Sequence, residues 1–129
     1  MIKEVNSDEI LEFVLKYFPK YIVSSDPFEK VYAYYIDSKI VGFISISSIY
    51  ERCEINYIAV SESFRRRGFA QELLDYIISK NSFNNISLEV REDNVGAINF
   101  YLKNGFKKVS IRKNYYGNVD GYLMVKKVI

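Results

Sequence analysis

Phe64-Arg65-Arg66-Arg67-Gly68-Phe69-Ala70 joins an apolar, β-branched run at residues 55–60 to a helical pattern that opens at Phe69. In that pattern Ala70, Leu73, Leu74, Ile77 and Ile78 recur at i, i+3, i+4, i+7 and i+8, the spacing of an amphipathic helix packed on a sheet. Strand, glycine turn and helix follow one another directly. The first turn of such a helix presents unpaired backbone N–H groups at the positive end of its dipole, which makes it a ready site for phosphate. Arg65, Arg66 and Arg67 deepen the positive field. A phosphate-bearing ligand, in the form of a nucleotide-bearing cofactor, is the first expectation.

Working outward, residues 2–5 read as a short strand, and Ser7 as the N-cap of a helix with Asp8 and Glu9 in its first turn. Ile10, Leu11, Val14, Tyr17 and Phe18 keep helical spacing as far as Pro19. Residues 20–30 fit either a second short helix or a loop. Residues 31–36 and 40–47 are β-branched and aromatic runs around Asp37-Ser38-Lys39, the pattern of a hairpin, and residues 52–60 supply a third antiparallel strand. Residues 86–91 alternate as a strand. Asn94 caps a helix running to about Asn104, where Gly105 gives the C′ stop. Strands at 106–115 and 122–128 close the chain around a turn at 118–121. The resulting order, β, α, (α), β, β, β, α, β, α, β, β, predicts an α/β (α+β) architecture: a mixed sheet with helices on both faces.

Composition narrows the chemistry. A chain of 129 residues, 49% hydrophobic and 26% charged, is expected to form one domain over 1–129. The net charge of +2 argues against a polyelectrolyte binder of nucleic acid, so electrostatic function falls to a local cluster such as the arginines. Cys53 is the sole cysteine and histidine is absent, which removes an intrachain disulfide, the usual zinc sites and every histidine-based mechanism. Acid–base chemistry must use Glu, Asp, Tyr, Lys, Cys, water or backbone. The N-terminus has no apolar signal segment and no run of about 18 apolar residues spans a bilayer, so a cytoplasmic protein without membrane partners is expected.

Ile58-Ala59-Val60, Phe64 to Ala70 and Leu73-Leu74 together resemble the acetyl-CoA signature of the GNAT acetyltransferase superfamily, Arg/Gln-x-x-Gly-x-Gly/Ala after a strand. Leu88-Glu89-Val90-Arg91, Asn94, Ala97-Ile98, Tyr101 and Gly105-Phe106 resemble its second signature, in the right order and at the right distance. Ile111-Arg112-Lys113-Asn114-Tyr115-Tyr116 and Asp120-Gly121 resemble the C-terminal hairpin of the RimI-type branch, the N-terminal alanine acetyltransferases of ribosomal protein. The aromatic-Pro-Trp element usual in that branch has only Phe18-Pro19 as a counterpart here.

The resemblance implies a GNAT acyl-CoA N-acyltransferase fold, with a twisted, mostly antiparallel sheet. It also implies transfer of acetyl from acetyl-CoA to a primary amine. The N-terminal α-amino group of a protein or peptide is the acceptor that the branch points to; a lysine, polyamine, aminoglycoside or amino acid is the alternative, and a non-catalytic CoA-binding module a third reading. A monomer or a homodimer fits equally. Under the same resemblance Arg65, Arg66, Arg67, Gly68, Phe69 and Ala70 hold the pyrophosphate, where side chains larger than Gly68 and Ala70 would block its approach. Main-chain groups of Ile58, Ala59 and Val60 pair with the pantetheine arm in the manner of an added strand, and Asn94 contacts that arm. Glu89 is the general base, directly or through water, and Tyr101 the general acid. Tyr115 and Tyr116 line the acceptor site, Glu54 is a reserve base, and no metal is required. Cys53 reads as a buried small hydrophobe.

Overall fold

The computed structural model describes residues 1–128, which form strands β1 (Ile2–Val5), β2 (Glu29–Ile36), β3 (Lys39–Ile49), β4 (Arg52–Val60), β5 (Asn85–Arg91), β6 (Lys107–Tyr116) and β7 (Val119–Lys127). Helices α1 (Leu11–Tyr17), α2 (Phe69–Lys80) and α3 (Val95–Lys103) stand between them, with 3-10 turns at Ser7–Ile10 and Glu62–Phe64. The strands follow the order β1-β2-β3-β4-β5-β7-β6 in one sheet. This is the mixed, mostly antiparallel sheet expected from the pattern; β4 and β5 run parallel while β1–β2, β2–β3, β5–β7 and β6–β7 run antiparallel. No helix among the described residues is long and apolar enough to cross a membrane. The chain divides into two compact units, Met1–Ile49 with Ile55–Ser82, and Tyr50–Glu54 with the segment from Phe83 onward.

In the first unit the period-2 alternation of β2 feeds two helices. Val31 and Ala33 belong to a core with Ile10 and Val14 at the start of the chain, Tyr21 and Phe43. Tyr32 and Tyr34, on the opposite face, stack against Tyr76 and Phe69 of α2 with ring centroids 5.5 and 4.7 Å apart. The stripe predicted for α2 is buried at Leu73, Leu74 and Ile77. Three boundaries differ from expectation; β3 runs Lys39–Ile49 rather than over 40–47, so Lys39 belongs to the strand and not to the turn. Asn6, not Ser7, precedes the first helical turn: its backbone is extended and its N–H donates to Glu9 Oε1 at 3.4 Å, so Ser7 already lies inside the 3-10 turn. Residues 20–28 form no helix or strand, and β2 starts two residues earlier than the apolar run because Glu29 and Lys30 pair with Ser47 and Ile46.

In the second unit Arg52–Glu54 of β4 pair with Asn85–Ser87 of β5, and β7 lies between β5 and β6. Ile86, Leu88 and Val90 are buried, as are Cys53, Phe83, Phe106 and Met124. Burial pushes the Cys53 thiol up to about 12, which leaves it protonated and inert, the small hydrophobe expected of it. The last hairpin corrects the predicted turn. Tyr116 pairs with Val119, so the loop is Gly117-Asn118 and residues 119–121 already belong to β7. A two-residue loop opening on a glycine at φ +76° suits the right-handed twist of the strands, which the four-residue reading missed.

Candidate active site

The predicted residues fall into two groups, one in each unit. In the first, Ile58, Ala59 and Val60 end β4, beyond the three residues that pair with β5. Arg65 closes that strand end: its Nε donates to the Val60 carbonyl at 3.0 Å and its guanidinium lies 5.7 Å from the Tyr17 ring centroid. Arg67 rests 5.3 Å from the Phe64 ring, while Arg66 is an exposed residue at φ +63°. The arginines thus serve the loop's own conformation first.

Gly68 is the N-cap of α2, with φ +86° and no side chain to satisfy the amides of the first turn. The first backbone bond of the helix runs from Glu72 N–H to the Gly68 carbonyl at 3.0 Å, so by helix geometry the amides before it have no intrahelical acceptor. A Cβ built on Gly68 would meet nothing within 4 Å. That open cradle at the positive end of a 12-residue helix has room and free backbone donors around Gly68, Phe69 and Ala70, the features an anion needs.

In the second unit β5 alternates as predicted, with Ser87 and Glu89 opposite the buried Ile86, Leu88 and Val90. Glu89 lines a pocket of about 370 Å³ together with Glu54, Ser87, Leu88, Arg112, Tyr115 and Leu123. Its side chain is 18% exposed, and Oε1 stands 2.6 Å from Arg112 Nε. The second oxygen, Oε2, is shut from solvent and has no hydrogen-bond partner. An unmet buried acceptor costs roughly 1–3 kcal/mol or more when charged, so this atom invites a proton donor.

Tyr115 reaches this pocket because β6 is irregular. Between Arg112, opposite Gly121, and Tyr116, opposite Val119, the strand carries extra residues. Asn114 turns to φ +52°, and its N–H donates to Asp120 Oδ1 at 2.9 Å, with Lys113 Nζ 3.3 Å from the other oxygen. These contacts hold the Asp120 carboxyl below its usual range, the Asn114 bond contributing most. A Cβ at Gly121 would fall 3.2 Å from Tyr115 Cβ and 3.1 Å from Tyr116 Cε2, so the two tyrosines occupy the space that any other residue would fill. Their rings meet edge-on at 5.0 Å. The Tyr116 phenol is raised by burial first, then by Tyr115 and Glu89, against the opposing pull of Arg91.

Tyr101 and Asn94 do not line that pocket. Asn94 caps α3, its Oδ1 accepting from Ala97 N–H at 3.2 Å, which leaves Nδ2 outside the cap. Tyr101 is 5% exposed, its ring against Phe100 and Phe106, and burial pushes its phenol up to about 12. Gly105-Phe106 explains that placement. Gly105, at φ +90°, donates its N–H to Leu102 O and Phe106 N–H donates to Tyr101 O, a Schellman stop whose hydrophobic contact is the Tyr101–Phe106 pair at 5.3 Å. Arg112, Asp120 and Gly121 carry no role in the sequence pattern; the charge near Tyr115-Tyr116 and the Asp-Gly pair are the signals that mark them.

With this geometry established, comparison with known proteins gives the family. The model of the acetyltransferase (GNAT) family matches residues 3–106, and the chain belongs to that family. An N-alpha-acetyltransferase of Saccharolobus solfataricus is 36% identical over 108 residues, 70% of this chain and 65% of that protein. The ribosomal protein bS18-alanine N-acetyltransferase of Escherichia coli K12 is 32% identical over 88 residues, 66% of this chain and 60% of the relative. The matches therefore span less than two thirds of either relative. The crystal structure of the ribosomal-protein-S18-alanine N-acetyltransferase from Escherichia coli superposes with a TM-score of 0.84 at 21% identity, over 99% of this chain and 93% of that one, a shared fold.

Proposed function

We propose that this protein is an acetyl-CoA-dependent N-acetyltransferase whose acceptor is the α-amino group of a protein or peptide N-terminus. Family membership and the names of the two sequence relatives support the reaction class and the acceptor class. The observation that carries the chemistry is Glu89: a carboxylate with one oxygen engaged by Arg112 and the other buried, unpartnered and part of a polar pocket.

Acetyl-CoA, when bound, supplies an activated acyl group as a thioester. The backbone around Gly68, Phe69 and Ala70 holds its pyrophosphate, with Arg65, Arg66 and Arg67 keeping the region positive, and the main chain of Ile58, Ala59 and Val60 holds its amide-bearing arm. An amine attacks only as the free base, so a group must take its proton; Glu89 does this, directly or through one water. Tyr101, with its phenol at about 12, keeps its proton at neutral pH and acts as a donor. Tyr115 and Tyr116 orient the acceptor main chain.

The test measures free CoA released from acetyl-CoA with peptides beginning in Ala or Ser, lysine peptides and small amines. Preference for the α-amino peptides, with Glu89→Gln lowering kcat by about 10²–10⁴-fold and leaving acetyl-CoA affinity unchanged, is the expected result. Activity confined to polyamines or aminoglycosides overturns the acceptor. Full turnover in Glu89→Gln overturns the base.

A further inference from the structure

Arg112 has no part in the mechanism above, yet it is the group in contact with the carboxylate on which that mechanism rests. The two residues are separated by a whole strand: Glu89 of β5 is paired with Leu123 of β7, which is paired in turn with Ser110 of β6, and Arg112 lies two residues further along β6 opposite Gly121. Its side chain returns across β7 to place Nε 2.6 Å from Glu89 Oε1, while the guanidinium carbon lies 5.7 Å from the Tyr115 ring centroid. Arg112 is half-exposed at 50% and Glu89 largely covered at 18%. Only one carboxylate oxygen is engaged. The other is sealed from solvent without a partner.

Cover from solvent disfavours an ionised carboxylate, and a fixed cation beside it restores the ionised form. The guanidinium stays charged throughout the working range and its planar fork fixes an oxygen in direction as well as in distance. Several other groups face Glu89. Glu54 of β4, a like charge, shares the pocket. Tyr115 of β6 lines the pocket, the Tyr116 phenol is raised by burial, Arg91 of β5 is paired with Asp93 at 3.0 Å, and β7 contributes the uncharged Leu123 to the pocket. Among them, Arg112 is the cation held against the carboxylate itself.

We propose that Arg112 is a positioning residue for Glu89: it holds Oε1 and so fixes the direction of the carboxylate that takes the acceptor's proton. The inference rests on Glu89 being the general base. In the step concerned, the N–H bond of the acceptor amine breaks, its electron pair stays on nitrogen, and the proton passes to the Glu89 carboxylate, directly or through one water.

The experiment combines the titration of the ¹³C-labelled Glu89 carboxyl by NMR with the pH profile of kcat/KM on an α-amino peptide, in wild type, Arg112→Gln, Arg112→Lys and Glu89→Gln, each checked for a native melting transition. In Arg112→Gln the Glu89 midpoint and the acid limb of the profile are expected to move together to higher pH. The kcat is expected to fall about tenfold, with the KM for acetyl-CoA unchanged. Arg112→Lys should restore the limb but only part of kcat, since an ammonium carries the charge without the fork. An unmoved Glu89 midpoint in Arg112→Gln, or an acid limb that stays at the wild-type pH, overturns the role of Arg112 while leaving the base intact. An acid limb and rate that persist in Glu89→Gln overturn the base, and the role of Arg112 with it, even where the NMR midpoint moves.

Discussion

At the scale of the residue, the second unit shows what a local pattern can and cannot announce. Alternation along β5 puts Glu89 opposite Ile86, Leu88 and Val90, and this follows from the sequence because a strand's side chains have period 2. The contact with Arg112 does not follow, because it depends on the registers of two further strand pairs. Tyr101 makes the complementary point. Its burial follows from the Ala97, Ile98, Tyr101 spacing, and that burial fixes its acid–base character. A phenol raised from 10.0 to about 12 in the folded protein binds its proton more tightly there than in the unfolded chain. Its contribution to stability is therefore full below pH 10 and lost as pH rises from about 10 to 12, an effect of order 2–3 kcal/mol. Tyr101→Phe should flatten that part of the alkaline loss seen in urea melts between pH 9 and 12. In catalysis the same substitution should lower kcat by at least tenfold at every pH from 6 to 9, with no alkaline limb appearing or vanishing in that range. Turnover equal to wild type would take Tyr101 out of the mechanism.

At the scale of the element, the informative features are where chains turn. Gly68 and Gly105 both hold φ near +90°, one opening α2 and the other closing α3, and each could be picked out beforehand as a glycine next to a periodic run. The hairpin loop was misplaced because Asn118 to Gly121 has turn composition, whereas the register places Val119, Asp120 and Gly121 in β7. Asp120 and Gly121 are there for the bulge of β6: one accepts the Asn114 N–H, the other leaves room for two tyrosine rings. Adding one methyl group at Gly121 crowds Tyr115 and Tyr116 rather than the backbone turn. Gly121→Ala is thus expected to raise KM for the acceptor peptide several-fold while leaving acetyl-CoA affinity unchanged, as read from steady-state kinetics and calorimetry. Asp120 titrates below its ordinary value, so the bulge contact is present above the unfolded carboxylate's pKa of about 3.9 and is lost as pH falls through the lower folded value. Asp120→Asn removes that acid-side dependence and should leave the acceptor KM nearly constant, because an amide oxygen still accepts from Asn114.

At the scale of the whole molecule, the order of elements and the mixed sheet were legible because strands, helices and the two spaced motifs follow from periodicity and glycine placement, and the family match over residues 3–106 agrees with them. The pocket was not, since Glu54, Glu89, Arg112 and Tyr115 come from three strands far apart in sequence. The donor assignment makes its demand at this scale, through linkage between binding and folding. A ligand that binds only the folded chain at 100 times its Kd adds about 2.7 kcal/mol of stability. In a chain of this size that corresponds to a rise of roughly 10 °C in Tm. Acetyl-CoA and CoA should both produce it, because both carry the pyrophosphate and the arm. Dephosphorylated pantetheine should produce much less, because the backbone amides at the start of α2 then have no anion to meet. In Gly68→Ala strain and recognition act together: a β-carbon at φ +86° costs about 1–2 kcal/mol, which lowers the Tm of the free protein, and the methyl group in the open cradle also lowers the ligand-induced rise. Gly68→Glu places a carboxylate where the pyrophosphate is held and should abolish the rise altogether. A full acetyl-CoA shift in Gly68→Glu would move the donor away from the N-terminus of α2, and with it the assignment of the arginine-glycine loop.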